Sequence, residues 1–428
     1  MSGTAAGLRI NPERLTEDLA GLSRIGLHED GSVTRLAFSP AELRARQYVM
    51  HLCQRAGIPV RLDGIGNLIA RVEGEVTGEA AVAMGSHVDS VPRGGRFDGA
   101  MGVIAALEVV RTIKEAGTPL AHPLEVLVFV AEESSRFGVS TIGSSAMAGT
   151  VEPDRLLGLT DRTGHRLSEI LARSGLTRDD VAAARRLPGE VGHYLELHIE
   201  QGRVLKEAGE QVGVVRAIAA PCRLKIRYQG QADHSGATPM DLRKDALVAA
   251  AHLVTYVEEV CRAPGPVPVV GTVGMLDVRP SAINVIPGEA TLWIDLRSIG
   301  LEARTRRRDA VVARARALAA ERGLTCSIDT LMDDPPVVLD AGTTEVLADV
   351  CAAQRLAWRL MDSGAGHDAM QMAAIARAGM LFVPSYEGIS HNPREWTSLP
   401  DIVAGAQVLL EATVRLATRA GRAGAVTP

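Results

Sequence analysis

The chain has 428 residues, 46% of them apolar and 23% charged, with a net charge of -5. This is the balance of an ordinary soluble globular protein of two or three domains, at about 150 residues each, and it gives no reason to expect nucleic acid or an acidic membrane as partner. No apolar run approaches the roughly 18 residues of a membrane span, "MSGTAAGLRINPERL" lacks the basic and apolar regions of a signal peptide, and Cys53, Cys222, Cys261, Cys326 and Cys351 form no C-x-x-C pair, as expected of reduced thiols in a cytoplasmic protein.

In chain order, residues 38–57 predict a helix. Ser39 caps it, Pro40 suits its first turn, Glu42 completes a capping box, and Gly57 ends it. Residues 59–74 predict a hairpin turning at Gly64 and Gly66. "AAVAMGSH" is a short apolar strand. "GAMGVIAALEVVRTIKEAG" sets Val103, Ile104, Leu107, Val110 and Ile113 on one helical face, and "LEVLVFVAEE" is a second buried strand that ends in charge. Strand, helix, strand is the order of a three-layer α/β sheet. Composition shifts near residue 214, where "VGVVRAIAAPCRLKIRYQGQADH" alternates in β fashion. A helix over 243–263, a strand near 269–276, the strand "ATLWIDLRS", a helix over roughly 301–322 and the strand "TCSIDTLM" follow. In "ATLWIDLRS", Leu292, Ile294 and Leu296 point one way and Trp293, Asp295 and Arg297 the other. The basic run "RTRRR", 304–308, reads as a solvated helix face. After "DDPPVV" the α/β pattern resumes and runs to a long final helix. The expected layout is a first domain in two parts, 1–213 and 332–428, with an α+β domain, 214–331, inserted.

Three apolar or alternating segments end in ionisable groups. His87 and Asp89 follow the first, and Asp98 emerges from the glycine-rich "GGRFDG". Ligands of open α/β sheets gather beyond the carboxyl ends of strands. A metal-bound imidazole usually donates its other ring N–H to a carboxylate, a role open to Asp89, and Asp98 could bridge two cations. Glu132 and Glu133, adjacent on a strand, would face opposite ways, one to bind and one to act as general base. His198 shares a face with Glu200, and His391 sits in a glycine-containing loop, while His193 reads as an ordinary surface histidine. Each segment alone is also compatible with solvated charge. As a set, they match the nitrogen and oxygen ligands of zinc, manganese or cobalt. In the inserted block, His234 could stabilise an oxyanion, and Arg297 with Asn284 could grip a carboxylate.

Seven motifs, "GSHVDSVPRGGRFDGAMGV", "EESSRFG", "LHIEQGRVL", "ADHSGATPM", "INVIPGEATLWIDLRS", "SGAGHDA" and "GISHNPREWT", run in order over nearly the whole chain. Together they resemble the dinuclear-metal amidohydrolases of the aminoacylase/carboxypeptidase superfamily. The nearer resemblance is to the carbamoyl-amide branch: N-carbamoyl-L-amino acid hydrolases, β-ureidopropionases and allantoate amidohydrolases. The resemblance implies a three-layer α/β/α metallo-aminopeptidase-like catalytic domain with an inserted ferredoxin-like lid and homodimerisation domain. It implies two divalent ions per subunit, zinc or else manganese, cobalt or nickel. His87, Glu133, His198 and His391 would be terminal ligands, with Asp98 bridging and Asp89 behind His87. Glu132 would be the general acid/base. His234, which in this branch a second subunit can supply, would act on the oxyanion. Gln201, Asn284 and Arg297 would hold a small substrate bearing a carboxylate, with main-chain contacts from Gly364, Ala365 and Gly366. Ser134, where the branch usually has glycine, and the lid sequence Ser235, Gly236, Ala237, Thr238 depart from the branch pattern near the substrate. The expected activity is hydrolysis of an N-carbamoyl compound to ammonia and carbon dioxide. An N-acyl amino acid or dipeptide hydrolase is the neighbouring alternative, and a non-catalytic small-molecule binding protein the distant one.

Overall fold

The computed structural model describes residues 7–418. The chain divides into two compact units, Met1–Arg216 with Leu339–Pro428, and Ala217–Val338. In chain order the strands are β1 Val60–Leu62, β2 Leu68–Val72, β3 Ala81–His87, β4 Leu124–Phe129, β5 Val191–Ile199, β6 Val212–Ile218, β7 Ala220–Gln229, β8 Asp233–His234, β9 Val270–Arg279, β10 Val285–Ile286, β11 Glu289–Ser298, β12 Thr325–Asp333, β13 Val337–Val338, β14 Trp358–Ser363 and β15 Arg377–Val383.

The first unit is built on a mixed sheet in the order β1-β2-β4-β3-β5-β15-β6-β13, with β14 beside β6. Its centre, β4, β3, β5 and β15, is parallel. These strands are covered on both faces, so β3 and β4 are buried along their length and read as continuous apolar runs. Along β5, Leu195, Leu197 and Ile199 join the core formed with the helices Ala100–Glu115 and Leu399–Thr418. Glu196 and His198 point the other way, where Glu196 accepts from Ala369 N in the helix Asp368–Met372 at 2.9 Å. Helices therefore cover opposite faces of one sheet, which is the three-layer arrangement.

Local structure departs from the sequence reading in identifiable places. Ser39 caps the helix Pro40–Arg55, but Glu42 reaches past the cap residue to Phe38 N at 3.0 Å, because its carboxylate is also bound by Arg46. β4 stops at Phe129, so Glu132 and Glu133 lie on the loop beyond it rather than on opposite strand faces. His193 is half-buried, hydrogen-bonded to Thr343 Oγ1 at 3.0 Å, and burial lowers its pKa to about 4. β15 went unread although it is a central strand.

The second unit runs β7, helix Ala246–Arg262, β9, β11, helix Leu301–Glu321, β12. Its antiparallel sheet has the order β12-β7-β11-β9, the ferredoxin-like pattern. Cys222, Leu224, Ile226 and Tyr228 of β7 and Ala290, Leu292, Ile294 and Leu296 of β11 are buried against the helices, while Trp293, Asp295 and Arg297 are half-exposed. The basic run is not wholly solvated. Arg304 is buried, donating to Ala220 O at 2.5 Å and Asp333 Oδ1 at 2.7 Å, so a distant carboxylate draws it inward.

The helix Ala100–Glu115 lies so close to β5 that a Cβ on Gly102 would fall 2.3 Å from Leu197 O. The obstacle is backbone and cannot turn aside. Gly102→Ala should therefore lose more to overpacking, about 1–3 kcal/mol, than it gains in helix propensity. Urea denaturation should show a lower midpoint with an unchanged slope.

Candidate active site

The carboxyl ends of the parallel strands converge on Asp98. His87 is the last residue of β3, Glu132 and Glu133 follow β4, His198 is near the end of β5, and His391 lies beyond β15. Asp98 Oδ1 is 3.5 Å from His87 Nε2 and 3.2 Å from His198 Nε2. Its Oδ2 is 3.0 Å from His391 Nε2, which is 3.2 Å from Glu133 Oε1. Two ligand sets, His87–Asp98–His198 and Asp98–Glu133–His391, thus share one carboxylate. Glu132 Oε2 is 3.6 Å from His87 Nε2.

Hydrogen bonds behind the imidazoles fix which nitrogen faces the cluster. His87 Nδ1 is 3.0 Å from Asp89 O, and His198 Nδ1 is 2.9 Å from Ile199 O. A carbonyl can only accept, so each Nδ1 carries the proton, an assignment made from the network. In the neutral rings each Nε2 is then an acceptor; that of His198 accepts from Gly99 N at 3.2 Å, whereas that of His87 faces Asp98 Oδ1. Two acceptors face each other, and only a cation or an extra proton between them relieves the repulsion. Asp98, Glu132 and Glu133 are all buried, so the cluster also lacks positive charge. These residues fit two divalent cations. In the protein alone, protons fill that role. Although burial works against the charged imidazole, Glu132, Asp89 and Asp98 hold His87 well above its ordinary pKa. Hydrogen bonds to Asp98 and Glu133 push His391 up to about 11. Burial, opposed by His87 but reinforced by Glu133 and Asp368, raises Glu132 well above the carboxylate range.

The loops are pinned around this cluster. The imidazole of His87 meets the main-chain carbonyl of Asp89; the Asp89 carboxylate instead accepts from Glu132 N at 3.2 Å and Glu133 N at 3.0 Å. Gly99 has φ +62, and a Cβ there would lie 2.4 Å from His87 Nε2, so only glycine lets the backbone pass. Gln201 donates from Nε2 to Asp98 Oδ2 at 2.7 Å, which orients the shared carboxylate, and its buried Oε1 has no partner. Gly364, Ala365 and Gly366 follow β14 in a turn where Ser363 Oγ accepts from Ala365 N at 3.1 Å. The sequence reading passed over His367 and Glu395, although both stand inside quoted motifs. His367 packs its ring 4.6 Å from that of His198, and Glu395 backs Asp98. A polar residue that stays buried leaves no periodic trace in a loop.

The remaining predicted residues belong to the second unit. His234 is exposed, and its Nδ1 accepts from Gly236 N and Ala237 N, each at 3.1 Å. The neutral ring therefore carries its proton on Nε2, available as a donor. Asn284 lies beside it, with Ser235 N bonded to Asn284 O at 3.1 Å and Val285 paired with His234. Arg297 does not stand as a lone fork. Asp295 takes its Nε at 2.8 Å and Nη2 at 3.3 Å, and also takes Arg223 Nε at 3.0 Å.

Fold and cluster define the class, a hydrolytic enzyme on a mixed α/β sheet. The chain belongs to peptidase family M20/M25/M40, whose profile matches residues 83–415. It is 42% identical over 408 residues to the N-carbamoyl-L-amino acid amidohydrolase of Geobacillus stearothermophilus, covering 95% of this chain and 99% of that one. It is 34% identical over 407 residues to the allantoate amidohydrolase of Escherichia coli (strain K12), covering 93% and 96%. Among solved structures, an amidase of the hydantoinase/carbamoylase family from Burkholderia multivorans superposes with a TM-score of 0.88 at 33% identity, over 96% of this chain and 99% of that one.

Protons and cations compete for the same lone pairs, so uptake of a divalent ion must expel protons. Zinc added to chelator-stripped protein in weakly buffered solution at neutral pH should acidify it. Because the His391 pKa of about 11 lies far above neutrality, zinc affinity should rise with pH, and His391→Ala should release fewer protons.

Proposed function

We propose that this chain hydrolyses the C–N bond of an N-carbamoyl compound bearing a carboxylate, such as an N-carbamoyl-L-amino acid. The observation that carries the reading is the pair of ligand sets joined by Asp98, with Glu132 beside them at the end of the same parallel sheet. The near full-length similarity to carbamoyl amidohydrolases supports it. Two divalent ions, held by His87, Asp98, Glu133, His198 and His391, would polarise the carbamoyl oxygen and make water acidic enough to attack near neutral pH.

Glu132 then takes the proton of the attacking water and returns it to the departing nitrogen. The water oxygen bonds to the carbamoyl carbon, the C–N bond to the amino acid breaks, and the carbamate left behind decomposes to ammonia and carbon dioxide. We assign to His234 the hydrogen bond to the developing oxyanion, for which its Nε2–H is the available donor. Gln201 orients Asp98, and its Oε1 is left as an acceptor for the substrate's N–H. Gly364, Ala365 and Gly366 offer main-chain contacts. Asn284 and Arg297 would hold the substrate carboxylate. Arg223 already reaches Asp295, so Asp295 keeps a cation when Arg297 turns to the substrate. We assign residues 214–331 as lid and homodimerisation domain. Its edge strand β9 exposes Val270, Met275 and Leu276 beside unpaired main-chain groups, a surface suited to a second copy.

The test is release of ammonia and, separately, of the free amino compound by stripped protein resupplied with zinc, manganese, cobalt or nickel. The panel is N-carbamoyl-L-amino acids, 3-ureidopropionate and allantoate, set against an N-acetyl amino acid and a dipeptide. Metal-restored release from a carbamoyl substrate is the expected result; turnover of the acyl or peptide substrates alone would replace this reading with the peptidase one. Glu132→Gln should lower kcat by roughly 100- to 10,000-fold with its ions retained. Arg297→Ala should act mainly on KM, and sedimentation should report a dimer.

A further inference from the structure

Glu395 is buried beside Asp98, and none of the proposed chemistry uses it. Its Oε1 accepts from Phe97 N at 2.9 Å and Asp98 N at 3.1 Å. Its Oε2 lies 2.8 Å from Ser390 Oγ, and that hydroxyl lies 3.2 Å from Asp98 Oδ2. The backbone of Asp98 is thus tied to this carboxylate, and its side chain shares the Ser390 hydroxyl with it. The N–H of Glu395 in turn donates to Asn392 O at 3.0 Å, closing the short turn that directly follows His391. The next residue, Trp396, sets its ring edge-on to Phe97 at 5.5 Å. The space for the carboxylate exists because residue 95 is glycine: a Cβ there would sit 2.0 Å from Glu395 Oε1.

Two features make this more than packing. Buried main-chain N–H groups need partners, and those of Phe97 and Asp98 have Glu395. His391 is half exposed and holds φ +55, a region that side chains rarely adopt. Its turn cannot rely on burial for its shape and needs an anchor, which Glu395 supplies at the level of Asp98.

We propose that Glu395 is a positioning residue. It locks the bridging carboxylate Asp98 and the His391 turn into one rigid body, so that Asp98, Glu133 and His391 keep the spacing of a cation site. This rests on the two-metal reading given above.

The test is zinc binding to stripped protein, measured by competition with a chelator and by metal content after dialysis. Melting curves are recorded in parallel. Glu395→Ala should weaken the ion at Asp98, Glu133 and His391 by about 10- to 100-fold, and the other, which shares only Asp98, by less. Glu395→Gln keeps an amide oxygen for the same two N–H groups and should bind both ions like wild type. Where Glu395→Ala does not fold, Glu395→Asp decides, because it keeps the charge but is one methylene too short for both N–H groups. It should weaken the same ion with a smaller fall in melting point than Glu395→Ala, since it still satisfies one of the two N–H groups. Wild-type affinity for both ions in Glu395→Ala or folded Glu395→Asp overturns the proposal alone, as does a Glu395→Gln that loses as much as Glu395→Ala. A wild-type chain that binds no zinc overturns the metal site and this proposal together.

Discussion

The architecture of the first unit depends on one carboxylate whose two oxygens face three imidazole nitrogens. Asp98 meets His87 and His198 through Oδ1 and His391 through Oδ2. With Nδ1 of His87 committed to a carbonyl, its Nε2 lone pair meets the lone pairs of Asp98 and Glu132 unless positive charge intervenes. Buried ions cost several kcal/mol each when unpaired, so this grouping needs positive charge, from protons or from cations. The parallel order β4-β3-β5-β15 then has a purpose. Each strand leads at its carboxyl end into a segment that carries one of the cluster's residues.

The loops beyond those strands are held in conformations they would not choose alone. Ala131, Gln201 and His391 have φ of +54, +57 and +55, each within two residues of, or at, a proposed ligand or base or a contact of Asp98. Such residues cost on the order of 1–3 kcal/mol each and persist only where neighbours over-determine them. Here the neighbours can be named. Asp89 receives both N–H groups of the glutamate loop, Ser385 Oγ receives Gln201 N at 3.0 Å, and Glu395 N closes the turn that follows His391. The hydrogen bonds around the cluster are therefore what convert strained loops into fixed ligand positions.

Much of this was legible because apolar strands that end in charge are unusual. His87, Asp98, Glu132, Glu133, His198 and His391 could be picked out one by one, and the structure brings them together. Contacts between distant segments were not legible. Arg304 reads as one of several solvated arginines until Asp333, on another strand, is placed beside it. Glu395 reads as a loop carboxylate until a segment 297 residues away in sequence is folded against it. The Arg297–Asp295 pair was available and unread. The sequence puts both residues on one strand face, and side chains two apart on a strand are neighbours.

Behind the cluster, burial pushes His367, Glu196 and Asp368 toward their neutral forms. His367 meets the ring of His198 edge-on, and burial, reinforced by the positive tendency of His198, pushes its pKa well below the usual range. Glu196 and Asp368, on the same side of the sheet, are pushed up by burial, as carboxylates that prefer their protons. They are held by hydroxyls, with Ser86 Oγ 2.7 Å from Glu196 and Ser144 Oγ 2.5 Å from Asp368. A second charged layer here would compete with Asp98 for cations and draw the histidines away from it. A neutral, hydrogen-bonded layer supports His198 without that competition. Charge is thereby favoured on the face of Asp98, where Nε2 of three histidines already lies.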